Sequence, residues 1–176
     1  MIYFQNEHLI IRDMEREDAQ VFADEEIAQG WNQTAEKYMI RMDHRDQGLC
    51  ISMTAEYEGM PAGYISLYPR SIEGPFGHKD LPEIVDFGVL EKYRCRGIGT
   101  ALMDQAESLA SRYADLVYLG VGLHSGYGSA QRMYAQRGYI PDGSGAWHKD
   151  RPCVPYESYP LDDDLYIYMS KSLQKK

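Results

Sequence analysis

The 176-residue chain carries 18 basic and 27 acidic side chains, a net charge of −9, with 44% hydrophobic and 26% charged residues. That length fits one domain and that composition supports a packed core, so disorder is not the default, and the acidic balance argues against nucleic acid as a partner. No apolar run reaches the ~18 residues of a membrane span, and Cys50, Cys95 and Cys153, an odd number without a CxxC, exclude a disulfide framework and a cysteine zinc site and suit a reducing cytoplasm.

In chain order, MIYFQNEHLIIRD lacks the basic start and long apolar centre of a secretion signal, and His8–Arg12 reads as a first strand. Asp13 is the expected N-cap of a helix that places Ala19, Phe22, Ala23 and Ile27 at 3–4 spacing and ends at Gly30. Residues 33–46 form a second helix with Tyr38, Met39 and Met42 on one side. Leu49–Tyr57 and Ala62–Tyr68 are strands joined by Glu58-Gly59-Met60-Pro61. Residues 69–82, with three prolines and two glycines, form a loop before a strand at Glu83–Leu90. Gly97–Arg112 is a helix aligning Ile98, Leu102, Ala106 and Leu109. Leu116–Leu123 is a strand and Ser129–Arg137 a short helix with Ala130, Met133 and Tyr134 on one face. Residues 141–164 look irregular, and Leu165–Met169 closes as a strand. Hairpins and strand–helix–strand units in one chain predict a mixed sheet. Fifteen tyrosines are explained most simply by ring packing in the strands.

The sharpest local signal is Arg94-Cys95-Arg96-Gly97-Ile98-Gly99 between a strand and a helix. Glycines let backbone amides approach an anion, the helix N-terminus adds partial positive charge, and two arginines add fork-shaped donors. The spacing is neither the dinucleotide G-x-G-x-x-G nor a Walker loop.

The run VDFGVLEKYRCRGIGTALM, followed by GSAQRMYAQRGYIPDG, resembles the GNAT superfamily of N-acetyltransferases. The first run is similar to the family's pyrophosphate motif, Q/R-x-x-G-x-G/A. The second is similar to its later helix, N-x-x-A-x-x-x-Y-x-x-x-G-F/Y. The resemblance implies one α/β (α+β) N-acetyltransferase domain over residues 1–176, with a mixed sheet of about six to seven strands. It also implies splayed parallel strands that open a wedge for acetyl-CoA between Glu83–Leu90 and Leu116–Leu123. By position, Arg94, Cys95, Arg96, Gly97, Ile98 and Gly99 would hold the cofactor's pyrophosphate. Phe87, Gly88 and Val89 would pair with the pantetheine arm and acetyl carbonyl, and Tyr134 would protonate the departing thiolate. The activity implied is direct acetyl transfer to a small-molecule or peptide amine. A catalytically silent CoA-binding module is the alternative, and a homodimer stays open.

Two positions depart from the family pattern. Tyr127 stands where its asparagine contacts pantetheine, and its hydroxyl is the candidate substitute. Gly122 stands where some relatives carry a glutamate base. An alkylamine with a pKa of about 10.4 is neutral in roughly one molecule in 2,500 at pH 7, a penalty of about 4.6 kcal/mol, so a base is wanted. Glu83, at the expected open start of its strand, and Asp86 are the candidates, and a spacing of three puts them on opposite faces. His8, His44, His78, His124 and His148 show no HxH or HExxH spacing, and Asp162-Asp163-Asp164 reads as a solvated cap, so no metal site is expected. Residues 1–60 carry a net charge of −8, against −2 over 61–120 and +1 over 121–176. An acidic face including Asp13, Glu15, Glu17, Asp18, Asp24, Glu25 and Glu26 would steer a cationic acceptor.

Overall fold

Two periodicities, alternation in strands and 3–4 spacing in helices, build the elements of the computed structural model, which describes residues 1–31 and 33–173. They run β1 (Ile2–Gln5), β2 (Leu9–Asp13), α1 (Arg16–Ala28), α2 (Ala35–Asp46), β3 (Ile51–Tyr57), β4 (Met60–Tyr68), β5 (Glu83–Val89), α3 (Ile98–Ala110), β6 (Leu116–Gly122), α4 (Gly128–Gln136), β7 (Ile140–His148), β8 (Arg151–Pro152) and β9 (Leu165–Ser172). Two compact units result, one of Met1–Pro69 with Ile84–Leu109, the other of Arg70–Glu83 with Ala110–Lys176. No described helix is long and apolar enough to cross a membrane.

In the first unit the strands lie in the order β1-β2-β3-β4-β5. Antiparallel register sets Ile11 opposite Ala55 and Met53 opposite Ile65, all fully buried. Helices α1 and α2 supply Phe22, Ala23, Tyr38 and Met42 to a core shared with Tyr64 and Leu90. The β3–β4 joint is shorter than expected. Met60 already pairs with Tyr57, leaving Glu58 and Gly59 as a two-residue turn. Both have positive φ, 50° and 83°, which is the turn whose twist matches flanking strands.

The start of α1 also differs. Its N-cap is Glu15, and Asp18 at the third helical position accepts a hydrogen bond from the Glu15 N–H at 2.8 Å. Asp13 instead ends β2, where it pairs with the N-terminal ammonium and accepts from the Tyr3 hydroxyl at 2.6 Å.

In the second unit the order is β6-β9-β7-β8, with Leu119 opposite Met169 and Trp147 opposite Tyr166. Tyr118, Trp147 and Tyr168 form its aromatic core, with Phe76, Leu81 and Tyr166 packed against them. Among the described residues nine strands therefore replace the six to seven anticipated. Strand β1 precedes the first strand that the sequence predicts, and β8 and all of β7 but Ile140 fall in residues 141–164, which read as irregular. Pro141, Gly143 and Gly145 hide β7 from its pattern, and the register shift between Pro141 and Ala146 falls on them.

Candidate active site

The segment after β5 is a nest of backbone amides. A single 3-10 turn at Glu91–Tyr93 leads into Arg94, and α3 begins at Ile98. Between them Cys95 and Gly97 adopt φ of 60° and 77° while Arg96 does not, an alternation that turns successive N–H groups toward one concave face. The first turn of α3 adds amides that no carbonyl of the helix itself can reach, and the Ala101 N–H donates back to the Gly97 carbonyl at 3.0 Å. No heavy atom lies within 4 Å of where a Cβ on Gly97 would stand, so the mouth of the nest is open there. A groove of about 270 Å³ adjoins it, lined by Arg96, Gly97, Ala101, Tyr57, His8 and Leu9. Ile98 is buried beneath and anchors the helix start.

Helix α1 braces the nest. Glu25 pairs with Lys92 at 2.6 Å, and Gln29 Oε1 accepts the Glu91 N–H at 3.0 Å. Arg94 lies 5.6 Å over the Trp31 ring and Arg96 5.2 Å over Tyr57. Both guanidinium groups are thereby held beside the amides. A diphosphate fits this donor set: convergent N–H groups, an open mouth and two flanking arginines.

Strand β5 approaches β4 closely at two glycines. A Cβ on Gly63 would stand 2.8 Å from the Gly88 carbonyl oxygen, and one on Gly88 would stand 2.6 Å from the Tyr64 hydroxyl. Gly88 thus lies directly against the Tyr64 ring, and the Val89 side chain against Gly63. Asp86 has φ of 51°, an unusual conformation for a residue with a side chain. The expected alternation between Glu83 and Asp86 is interrupted there. The Asp86 carboxylate is ion-paired with Arg41, whose guanidinium also donates to the Tyr68 hydroxyl at 2.7 Å, and that hydroxyl lies 2.6 Å from His44 Nδ1.

Glu83 is not at an open strand end. It is 6% exposed and accepts a hydrogen bond from the Ser71 hydroxyl. The loop before β5 folds over it, with Tyr118 N–H donating to the Pro82 carbonyl at 3.1 Å and the Tyr118 hydroxyl to the Glu73 carbonyl at 3.0 Å.

In the second unit Tyr134 is the buried residue of α4, its ring 5.8 Å from that of Tyr139. Burial, with Tyr127 adding to it, pushes its phenol above the ordinary value, so it is protonated throughout the neutral range. Tyr127 is the N-cap of α4. Its hydroxyl donates to Asp163 Oδ1 at 2.9 Å, and the same oxygen lies 2.9 Å from His124 Nε2. The hydroxyl expected to replace the family asparagine is therefore engaged by Asp163. Nearby, Gln131 donates to the Gly122 carbonyl at 2.7 Å.

The acidic stretch is not one solvated face. Asp18 and Glu26 are buried. Asp18 takes both arms of Arg12 at 2.7 and 3.0 Å and the Thr54 hydroxyl at 3.0 Å. Glu26 accepts the Tyr38 and Tyr64 hydroxyls, each at 2.5 Å, with Lys37 Nζ at 3.8 Å. The steering surface expected from net charge is correspondingly smaller. The signal for Glu26 was present: positions 19, 22, 23 and 26 lie on one helical stripe, whereas Ile27, assigned to that stripe, is 55% exposed.

The sequence profile described as the Acetyltransferase (GNAT) family matches residues 10–139. The chain belongs to this family. No curated protein matches it by sequence. Among solved structures it is similar to a ribosomal-protein-alanine N-acetyltransferase from Brucella melitensis, at 18% identity and a TM-score of 0.65, covering 93% of this chain and 99% of that one. It is also similar to an acetyl transferase from Salmonella typhimurium that modifies the N-terminal serine of ribosomal protein L7/L12, at 9% identity and a TM-score of 0.71, covering 99% and 100%. A third is yncA, a putative acetyltransferase from Salmonella typhimurium solved with its cofactor acetyl-CoA, at 13% identity and a TM-score of 0.66, covering 96% of each chain. At these identities they show the fold, the mixed α/β GNAT fold that the sequence implied.

Proposed function

We propose that the chain is an acetyl-CoA-dependent N-acetyltransferase that transfers the acetyl group directly to a primary amine. The observation that carries this reading is the amide nest at Arg94–Gly99, open above Gly97 and flanked by two held arginines. Bound there, acetyl-CoA supplies the activated thioester. Phe87, Gly88 and Val89 present backbone groups to its pantetheine arm and acetyl carbonyl, and Tyr134 is the acid for the departing thiolate.

The surroundings of the two carboxylates bear on the acceptor. Asp86 is charge-paired with Arg41, and Glu83 lies buried among the hydroxyls of Ser71 and Tyr118. Glu83 is the base of this reading, because the Asp86 carboxylate is already taken by the Arg41 guanidinium. A peptide α-amine, with a pKa near 7.8, is neutral in roughly one molecule in seven at pH 7 and asks for only about 1 kcal/mol of help, against about 4.6 for a lysine-type amine. Modest base assistance therefore favours α-amines. The modification of an N-terminal serine named for one structural neighbour, and the ribosomal-protein-alanine N-acetylation named for another, support the same choice.

The test is incubation with acetyl-CoA and a panel of peptides, amino acids, polyamines and aminoglycosides. Free thiol and acetylated product are both measured. Acetylated α-amine with matching thiol release supports the reading. CoA binding without product on any amine overturns it in favour of a silent CoA-binding module.

A further inference from the structure

Strands β7 and β9 bring together three metal-ligating side chains that lie far apart in sequence. The two strands pair with His148 opposite Leu165, so the residues immediately before β9 fall beside the imidazole. One ligand atom from each of His148, Asp162 and Asp164 lies within 4.8 Å of the other two. Backbone bonds hold the arrangement: Lys149 N–H donates to the Asp164 carbonyl at 3.2 Å, and Asp164 N–H donates to Asp162 Oδ1 at 3.0 Å. The intervening Asp163 is used elsewhere, by Tyr127 and His124. The aspartate run thus divides its side chains between two clusters.

A second observation is independent of the carboxylates. Nε2 of His148 is buried and has no hydrogen-bond partner among the described residues. An orphaned buried ring nitrogen is uncommon and points to a missing ion or water. The ring sits 5.5 Å from that of Tyr159 and borders a cavity of about 480 Å³ lined also by Lys149 and Arg151.

We propose that His148, Asp162 and Asp164 form a binding site for one divalent transition-metal ion. A neutral imidazole with two carboxylates balances a +2 charge. The mixed nitrogen–oxygen donor set suits Zn²⁺ or Mn²⁺ and disfavours the all-oxygen preference of Mg²⁺ and Ca²⁺. Three protein ligands leave the remaining positions to solvent. Lys149 Nζ, 3.8 Å from Asp164 and well exposed, is the competing cation and swings aside when the ion binds. The histidine spacing excluded a metal in sequence because the partners lie 14 and 16 residues away and meet only through strand pairing.

The test uses the tag-free full chain, stripped with chelator and dialysed against Zn²⁺, Mn²⁺ or Mg²⁺, with bound metal counted per chain. One Zn²⁺ or Mn²⁺ per chain is expected, with Mg²⁺ much weaker. His148→Gln and Asp164→Asn each weaken binding by at least about tenfold, the least that even an outer-shell change costs. Cys95→Ser and Cys153→Ser leave it unchanged. Pulsed electron paramagnetic resonance of Mn²⁺ on the parent chain shows coupling to one imidazole nitrogen, a readout that holds even if a variant fails to fold. Absence of that coupling, unchanged affinity in a folded His148→Gln chain, or loss in a cysteine variant overturns the site.

Discussion

The ring of Tyr127 fills the space that a side chain on Gly122 would need. The two departures from the family pattern are therefore one structural choice: without a side chain at 122, a tyrosine can stand at the N-cap position of α4 and reach Asp163 with its hydroxyl. Gly122→Ala is expected to lower stability by about 1–3 kcal/mol through overpacking. Combining it with Tyr127→Ala should cost less than the two single changes added, in a double-mutant cycle followed by urea unfolding. Strict additivity would show that the positions are not coupled.

Glu26 is a structural carboxylate. Glu26→Ala takes the carboxylate acceptor from two buried phenols and the counter-charge from Lys37, and is expected to cost about 3–5 kcal/mol. Glu17→Ala, on the exposed side of the same helix, should stay within about 0.5 kcal/mol. Chemical denaturation of both variants compares them directly.

Stability at acid pH should depend on Asp18. Burial opposes its ionised form, but bonds from Arg12, the Glu15 N–H and Thr54 outweigh that and hold the carboxyl below its ordinary value. A depressed native value contributes stability that is full above the unfolded-state value of about 3.9 and is lost as pH falls through the native one. Asp18→Asn should therefore be less stable than the parent at pH 7, with the gap narrowing below about pH 4. Thermal unfolding from pH 7 to pH 2 measures this.

What could be read from the sequence was local. Arg94–Gly99 is legible because its glycines, its arginines and the strand–helix junction are contiguous. Tyr38 and Met42 are legible because a helix repeats every 3.6 residues. Glu26 was misplaced because its charge outweighed its position on the buried stripe. The positive φ of Asp86 has no marker in residue type, and the Arg41 that pairs with it is 45 residues away. Glu83 looked exposed because the loop that covers it, through Ser71, has no periodicity to read. Each miss involves a contact that only the folded chain creates.

Under the proposed function, Tyr134→Phe removes only the proton for the thiolate, and should lower turnover by roughly 10²–10⁴ while leaving CoA affinity nearly intact. Single-turnover acetyl transfer from bound acetyl-CoA separates this step from product release. An unchanged single-turnover rate would reduce Tyr134 to a packing residue beside Tyr139.

The most direct test of the central claim is calorimetric titration of acetyl-CoA into the parent chain and into Gly97→Val. Residue 97 faces open space at φ of 77°, so valine both strains the backbone and closes the mouth of the nest without removing a charged group. The account predicts one acetyl-CoA bound per parent chain, and affinity lost by at least about 1.4 kcal/mol, a factor of ten, in a folded Gly97→Val chain. Equal affinity in the two chains would contradict it.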